Sequence, residues 1–290
     1  MKEENVHALK YREAKPPQGD PAAPVERLFR LDGRTIVVTG ACGFLGTTVA
    51  KAIIESGADI VCLDVVKRPE SSDWPESVLE TAKRHGRTVL YYPCDVRDEQ
   101  AMKAAFAEFV PLLHHPIRGL LACAGLSLNG PSIDFPVDDI RRMFDINAAG
   151  TFLVAQLVAT EVKKTGLSAS MVFVASMSGY VSNKGVDTAG YNASKAAVQQ
   201  LGRSLAAEWG SRVNMPLIRV NTLSPGYIRT EATAESLAKP GMENQWVGDN
   251  MLYRLSTADE FRAPVLFLLG DGSSFMTGSD LRVDGGHCAW

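Results

Sequence analysis

Tyr191 and Lys195 are separated by three residues, so on a helix they share one face. A free phenol has a pKa near 10 and is a poor base at neutral pH. A neighbouring ammonium favours the phenolate, and such a pair can exchange a proton with an alcohol or a carbonyl oxygen. Ser176 closes the apolar run that begins at Ser170, fifteen residues before Tyr191. Its hydroxyl is suited to hydrogen-bond a substrate oxygen on which charge develops. Ser178 is a second hydroxyl in reach, better suited to contact the substrate than to catalyse. Asn147 falls in the helical stretch Phe144-Asp-Ile-Asn-Ala-Ala-Gly150. Asparagine is mildly unfavourable in a helix interior, which points to a specific role.

A second constellation lies near the start of the chain. The run Thr39-Gly40-Ala41-Cys42-Gly43-Phe44-Leu45-Gly46 sits between an apolar strand pattern and a helical one. Glycines there permit a tight turn and close backbone approach to a pyrophosphate, and the helix N-terminus presents free N–H groups. Gly40, Cys42, Gly43, Phe44, Leu45 and Gly46 are therefore candidate dinucleotide contacts. A strand-to-helix setting is the context that gives a glycine triplet meaning. Asp64 ends the next strand pattern, 24 residues after Gly40. A carboxylate there accepts from both hydroxyls of an adenosine ribose and repels a 2′-phosphate, which favours NAD over NADP. Lys67 and Arg68 follow closely and pull the other way, so NADP stays open.

These residues need strands to carry them. Strand patterns occupy 35–39, 59–63, 88–92, 119–123, 170–175, 217–220 and 280–283, with helical patterns at 45–56, 98–109, 138–164, 189–210 and 259–269. Continuous apolar strands separated by helices predict an α/β fold: one doubly wound, Rossmann-type domain over 34–290, with a mostly seven-stranded parallel sheet and helices on both faces. Residues 1–33 hold Pro16, Pro17, Pro21 and Pro24 and show no apolar periodicity before Val25, and read as a partly flexible or surface-lying N-terminal extension.

Composition excludes several classes. With 290 residues, 46 % hydrophobic and 22 % charged, the chain has enough apolar content to form a core. A net charge of −3 gives no electrostatic footprint for nucleic acid or an anionic membrane. No apolar run approaches the roughly 18 residues of a membrane span. The five cysteines are widely spaced, with no CxxC or Cys/His ligand spacing, so neither a metal site nor a disulfide framework is expected. The polar, acidic beginning is unlike a signal peptide, and a cytoplasmic location is the expectation.

Taken in order, the glycine turn, Cys94-Asp-Val96, Ala122-Cys-Ala-Gly125, Asn147-Ala-Ala-Gly150, Ser176, Tyr191/Lys195, Pro225-Gly226 and Val283-Asp-Gly-Gly286 resemble the short-chain dehydrogenase/reductase family over about residues 30–290. The look is that of its single-domain oxidoreductase branch, near fungal sugar and polyol dehydrogenases. The resemblance implies hydride transfer between a nicotinamide nucleotide and a secondary alcohol or ketone, with Tyr191 as general acid/base and a sugar alcohol/ketose pair as first substrate guess. It implies that the positive nicotinamide ring helps the phenolate, that Lys195 holds the nicotinamide ribose, and that Asn147 holds a water linking Lys195 to solvent. It also implies adenine contacts from Asp95 and Val96, and backbone approach to the cofactor ribose at Ala124 and Gly125. Nicotinamide contacts from Pro225, Gly226, Ile228 and Thr230 follow, with Tyr227 beside the substrate and a homotetrameric assembly.

Two departures stand out. The glycine spacing is that of the longer epimerase and dehydratase branch, and the usual Asn-Asn-Ala-Gly is Ala122-Cys-Ala-Gly125. An NAD-using epimerase or dehydratase, or a non-catalytic NAD-binding sensor, are the alternative readings. Segment 231–257, with Met242, Trp246, Met251 and Tyr253, is expected to cover the substrate with an apolar wall.

Overall fold

The computed structural model describes residues 24–67, 75–210 and 212–290. Seven strands form one sheet: β1 Thr35–Thr39, β2 Asp59–Asp64, β3 Val89–Pro93, β4 Ile117–Ala122, β5 Ala169–Val174, β6 Ile218–Pro225 and β7 Asp280–Val283. Their order is β3-β2-β1-β4-β5-β6-β7, and every neighbouring pair is parallel. The doubly wound fold read from the sequence is the one observed.

Strands β1, β2, β5 and β6 are buried along their whole length. A parallel strand covered on both faces is mainly apolar, which is why Ile36–Val38, Ile60–Leu63 and Met171–Val174 run without alternation. Successive side chains still point to opposite faces. Ile36 and Val38 join one core with Val49, Ile53 and Ile54 of α1 (Phe44–Glu55) and Val265 and Leu268 of α9 (Arg262–Leu269). Val37 joins the other, with Phe106 and Phe109 of α3 (Glu99–Phe109), Val154 and Val158 of α5 (Thr151–Thr165), and Val198 and Leu205 of α6 (Ala189–Trp209).

Several boundaries differ from the sequence reading. The sixth strand, expected over 217–220, continues to Pro225: Asn221, Thr222 and Ser224 are buried polar residues that break the apolar run and are satisfied by Met276 and Asp280. The pattern at 138–164 resolves into α4 (Val137–Phe144), a π-helical stretch Asp145–Gly150 and α5. Short helices without strong patterns were not anticipated: α2 (Glu80–His85), α7 (Glu231–Leu237) and α8 (Met242–Gly248). Contrary to the expectation of no membrane-length apolar segment, the continuous helical path Val137–Thr165 reaches a mean hydropathy of 1.3 over its most apolar 18 residues. Its apolar content is explained by the sheet, since Val154, Ala155, Val158 and Val162 are buried against it.

Of the N-terminal extension, residues 1–23 lie outside the described residues. The part from Pro24 is packed on the body: Val25–Phe29 forms a 3-10 turn, Leu31 is fully buried and its N–H bonds the Ser56 carbonyl at 2.8 Å.

Candidate active site

Six strands deliver their candidate residues to one edge of the sheet, the carboxyl edge, where β1 stands between β2 and β4 and the chain direction of winding reverses. After β1, Gly40 has φ +65°, and a Cβ there would lie 2.7 Å from the Ala124 backbone nitrogen. A Cβ on Gly46 would collide with the Gly40 carbonyl oxygen. Gly43 is the N-cap of α1 with ordinary extended angles. The shifted glycine spacing therefore keeps the two positions at which backbone must touch backbone, and Phe44 and Leu45 begin the helix whose N–H groups face the turn. Phe44 itself is half-exposed.

Asp64 is buried at the end of β2, and its carboxylate accepts from the Cys42 N–H at 2.8 Å and the Val66 N–H at 3.2 Å. The Cys42 thiol donates to the Tyr91 hydroxyl at 3.4 Å, and that hydroxyl donates to the Val66 carbonyl. The glycine turn and the loop after β2 are thereby tied together around the carboxylate. Lys67 is exposed, and Arg68 lies outside the described residues. After β4, the loop of the Ala122-Cys-Ala-Gly125 motif is tied to β1 through Thr39, whose hydroxyl accepts from the Ala124 N–H at 3.2 Å. A Cβ on Gly125 would sit 3.4 Å from both Lys195 Nζ and Asn147 Oδ1, so this backbone borders the catalytic candidates directly.

The Lys195 ammonium donates to the Val174 carbonyl at 2.8 Å and stands 5.8 Å from the Tyr191 ring centroid. Burial pulls Lys195 down to about 8, the nearby Cys123 raising it only partly. Burial pushes the Tyr191 phenol up, while the Ser176 hydroxyl, as its hydrogen-bond partner, pulls it back. Without a nucleotide the phenol is protonated at neutral pH, the form that donates to a carbonyl. Ser176 caps the 3-10 turn Met177–Gly179, its Oγ accepting from the Ser178 N–H at 3.1 Å. Ser178 is buried in that turn.

Asn147 sits in the π-helical stretch, a local widening often found at functional sites. Its Oδ1 accepts from the Leu126 N–H at 2.8 Å, and its Nδ2 donates to the Leu126 carbonyl at 2.9 Å and to Ser194 Oγ at 2.8 Å. The side chain clamps the loop after β4 to the helix that carries Tyr191 and Lys195.

Other candidates are already engaged. Asp95 pairs with Arg97 at 2.6 Å, which holds its carboxyl below the usual range, and Val96 is buried beside Gly150. Gly226 is required because a Cβ would lie 2.7 Å from Asp284 Cα, and Ile228 bridges to Ser256. Thr230 caps α7 in a reciprocal pair with Thr233. Tyr227 stacks on Trp246 of α8 at 3.8 Å and accepts from Asn183 at 3.2 Å, with Met177, Met242 and Leu255 packed around it. Tyr227 is thus a packing post for segment 231–257, its hydroxyl oxygen held by the Asn183 amide. Gln199 and Asn183 belong to the site and went unread in the sequence. For Gln199 the signal was present: Tyr191, Lys195 and Gln199 are successive i, i+4 positions on one helix face. Among the described residues, no group of three or more His, Cys, Asp or Glu is placed to hold a metal.

The buried lysine makes a measurable prediction. Its pKa is 10.5 when unfolded and about 8 when folded, so between these values the unfolded chain binds more protons. Its contribution to stability therefore rises with pH from 8 towards 10.5. Urea unfolding of the nucleotide-free protein, compared with Lys195→Met, should show a difference with positive slope approaching about 1.4 kcal/mol per pH unit. Parallel curves would show that the lysine is not desolvated.

A dinucleotide cradle, a proton-donating phenol and a hydroxyl beside it define a nicotinamide-nucleotide-dependent oxidoreductase of alcohols and ketones. A family model described as enoyl-(acyl carrier protein) reductase matches residues 40–287. The chain belongs to the short-chain dehydrogenase/reductase family. It is 67 % identical over 286 residues to a short-chain dehydrogenase/reductase, notP′, of Aspergillus versicolor, covering 99 % of this chain and 98 % of that one. It is 33 % identical to an NADH-dependent L-xylulose reductase of Ambrosiozyma monospora, covering 90 % and 97 %. The crystal structure of an NADPH-dependent 3-quinuclidinone reductase from Rhodotorula rubra superposes with a TM-score of 0.80 at 30 % identity, over 96 % and 100 % of the two chains.

Proposed function

We propose that this protein interconverts a secondary alcohol and its ketone with NAD(H) as the preferred nucleotide, a sugar alcohol/ketose pair being the first substrate class. The carrying observation is the convergence of Tyr191, Ser176 and Lys195 at the carboxyl edge beside the cradle of Gly40, Gly46 and Gly125. The turn suits a dinucleotide because its glycines let the backbone pack closely against Gly40, Ala124 and Lys195 while the N-terminus of α1, with its free N–H groups, faces the turn as a pyrophosphate requires. Bound there, the nicotinamide supplies or accepts the hydride.

The protein's own groups do the rest. Ser176 holds the substrate oxygen, and Tyr191 donates its phenolic proton to that oxygen in reduction or takes it in oxidation. Lys195 stabilises the resulting phenolate and holds the nucleotide ribose. Asn147 keeps the helix face registered against the Gly125 loop through its bonds to Leu126 and Ser194, and the family resemblance assigns it the water through which Lys195 exchanges protons. The cover over the substrate is 231–257, supported by the packing of Met242 and Trp246 on Tyr227 and Met177. A homotetrameric assembly and a cytoplasmic location complete the proposal, the latter supported by five free cysteines.

Asp64 supports NAD over NADP, because its buried carboxylate is fixed by two backbone donors and cannot swing away from a 2′-phosphate. Asp64→Ser should lower kcat/KM with NADH about 10–100-fold, the worth of a charged hydrogen bond, and raise it with NADPH. Turnover of the unmodified protein against ketoses, small diketones and cyclic ketones tests the whole reading. Net NADH consumption discards the epimerase alternative, and a preference for NADPH overturns the role of Asp64.

A further inference from the structure

Lys195 and Gln199 reach from one helix face to the same strand end. Lys195 Nζ donates to the Val174 carbonyl, and Gln199 Nε2 donates to the Ser176 carbonyl at 3.1 Å. The two bonds bracket Ala175 and fix the exit of β5, from which the Ser176 hydroxyl is presented. We infer that Gln199 is a positioning residue, the inner end of a buried chain Ser176–Gln199–Ser224–Asp280 that sets the Ser176 hydroxyl against Tyr191. The inference rests on the catalytic assignment of Ser176 and Tyr191 proposed above.

Three observations carry it. The first is the direction of the protons. The Asp280 carboxylate accepts from the Ser224 hydroxyl at 2.7 Å, so Ser224 Oγ is left as an acceptor for Gln199 Nε2 at 3.1 Å. The amide then presents its NH₂, not its oxygen, to this corner, and its second hydrogen goes to the Ser176 carbonyl. The second is burial: Gln199 is 3 % exposed and Ser224 fully enclosed, so neither bond is exchanged for water at little cost. The third is the room made for the amide. A Cβ on Gly179, at the end of the Ser176 turn, would stand 2.7 Å from Gln199 Oε1 and 2.8 Å from Nε2. The turn thus packs directly against the glutamine amide, and a side chain there would have to displace it. Thr222 also donates to Asp280, which anchors the outer end of the chain between β6 and β7.

The consequence concerns the phenol. The Ser176 hydroxyl is what opposes the upward push of burial on Tyr191. Loosening the Ser176 turn should therefore raise the pH at which Tyr191 becomes a base. The test uses Gln199→Met in the full chain, which keeps the volume and removes both donors. Expected are unchanged NADH affinity by fluorescence titration and a kcat about 10–100-fold lower, as for a misplaced reacting group. Expected too are a larger primary deuterium isotope effect with 4-deuterated NADH and a shift to higher pH of the ascending limb for alcohol oxidation. Unchanged kcat and limb overturn the inference. So does a lower kcat with an unmoved limb, since general loosening would do that. If Gln199→Met does not fold, Ser224→Ala carries the same readouts: a smaller shift in the same direction supports the chain, and an unmoved limb overturns it. Tyr191→Phe is measured in parallel. Activity retained there removes the catalytic assignment itself, whereas its loss beside an unaltered Gln199 profile removes only the positioning role.

Discussion

Tyr191→Phe should lower kcat by about 10²–10⁴-fold with NADH binding intact, the span that a positioned general acid contributes. On the barrier this is about 3–5 kcal/mol. The substitution removes one oxygen from a ring that stays packed near Lys195, so the fold has no reason to respond. The nucleotide cradle is built by Gly40, Gly46 and Asp64, and none of these depends on the phenol for its geometry. Stopped assays with NADH and the best ketone of the panel, together with a fluorescence titration of NADH, separate the two quantities. Retained turnover would mean that another group supplies the proton. Loss of NADH binding in step with turnover would mean that Tyr191 shapes the cradle.

Gly46→Val should remove dinucleotide binding and destabilise the protein by about 1–3 kcal/mol, the usual range for overpacking. The first atom of the new side chain would meet the Gly40 carbonyl oxygen, which is backbone and cannot rotate away. The turn can relieve the clash only by moving away from α1, which separates the helix N-terminus from the site it serves. Gly248→Ala provides the control. It ends α8 with nothing within 4 Å of the added methyl, and should leave binding and melting temperature unaltered or slightly improved. Thermal melts with and without NADH distinguish the cases. A Gly46→Val protein with a normal nucleotide-induced shift would refute the close-approach account.

The sheet was readable because parallel strands covered on both faces are mainly apolar. Positions 35–39 and 59–63 show that plainly. β6 was half-read for the opposite reason. Asn221, Thr222 and Ser224 are buried, and partners distant in sequence, among them Met276 and Asp280, make that tolerable. The chemistry was legible where it follows helical spacing, as with Tyr191 and Lys195. Asn147 stood out as an asparagine in a helical stretch, but its partners Leu126 and Ser194 did not, because the π-helical turn that brings them together has no sequence pattern of its own. The same limit applies to Tyr227. The resemblance places Tyr227 beside the substrate, but its stacking on Trp246 could not be read, because it is set by a segment with no periodicity of its own.

The central place of β1 in the sheet bears on how the chain is made. β1 leaves the ribosome before any other strand, yet one of its two neighbours is β4, which begins at Ile117. The half-sheet β3-β2-β1 can assemble early, but its β1 edge then presents unpaired N–H and C=O groups along a strand whose centre, Ile36–Val38, is apolar. At synthesis rates of about 5–20 residues per second, that edge waits on the order of seconds for its partner. The strand that carries the nucleotide turn is thus also the segment most exposed to wrong pairing in the nascent chain. Substitutions that slow closure of β1 on β4 should reduce soluble yield well before they alter the finished enzyme.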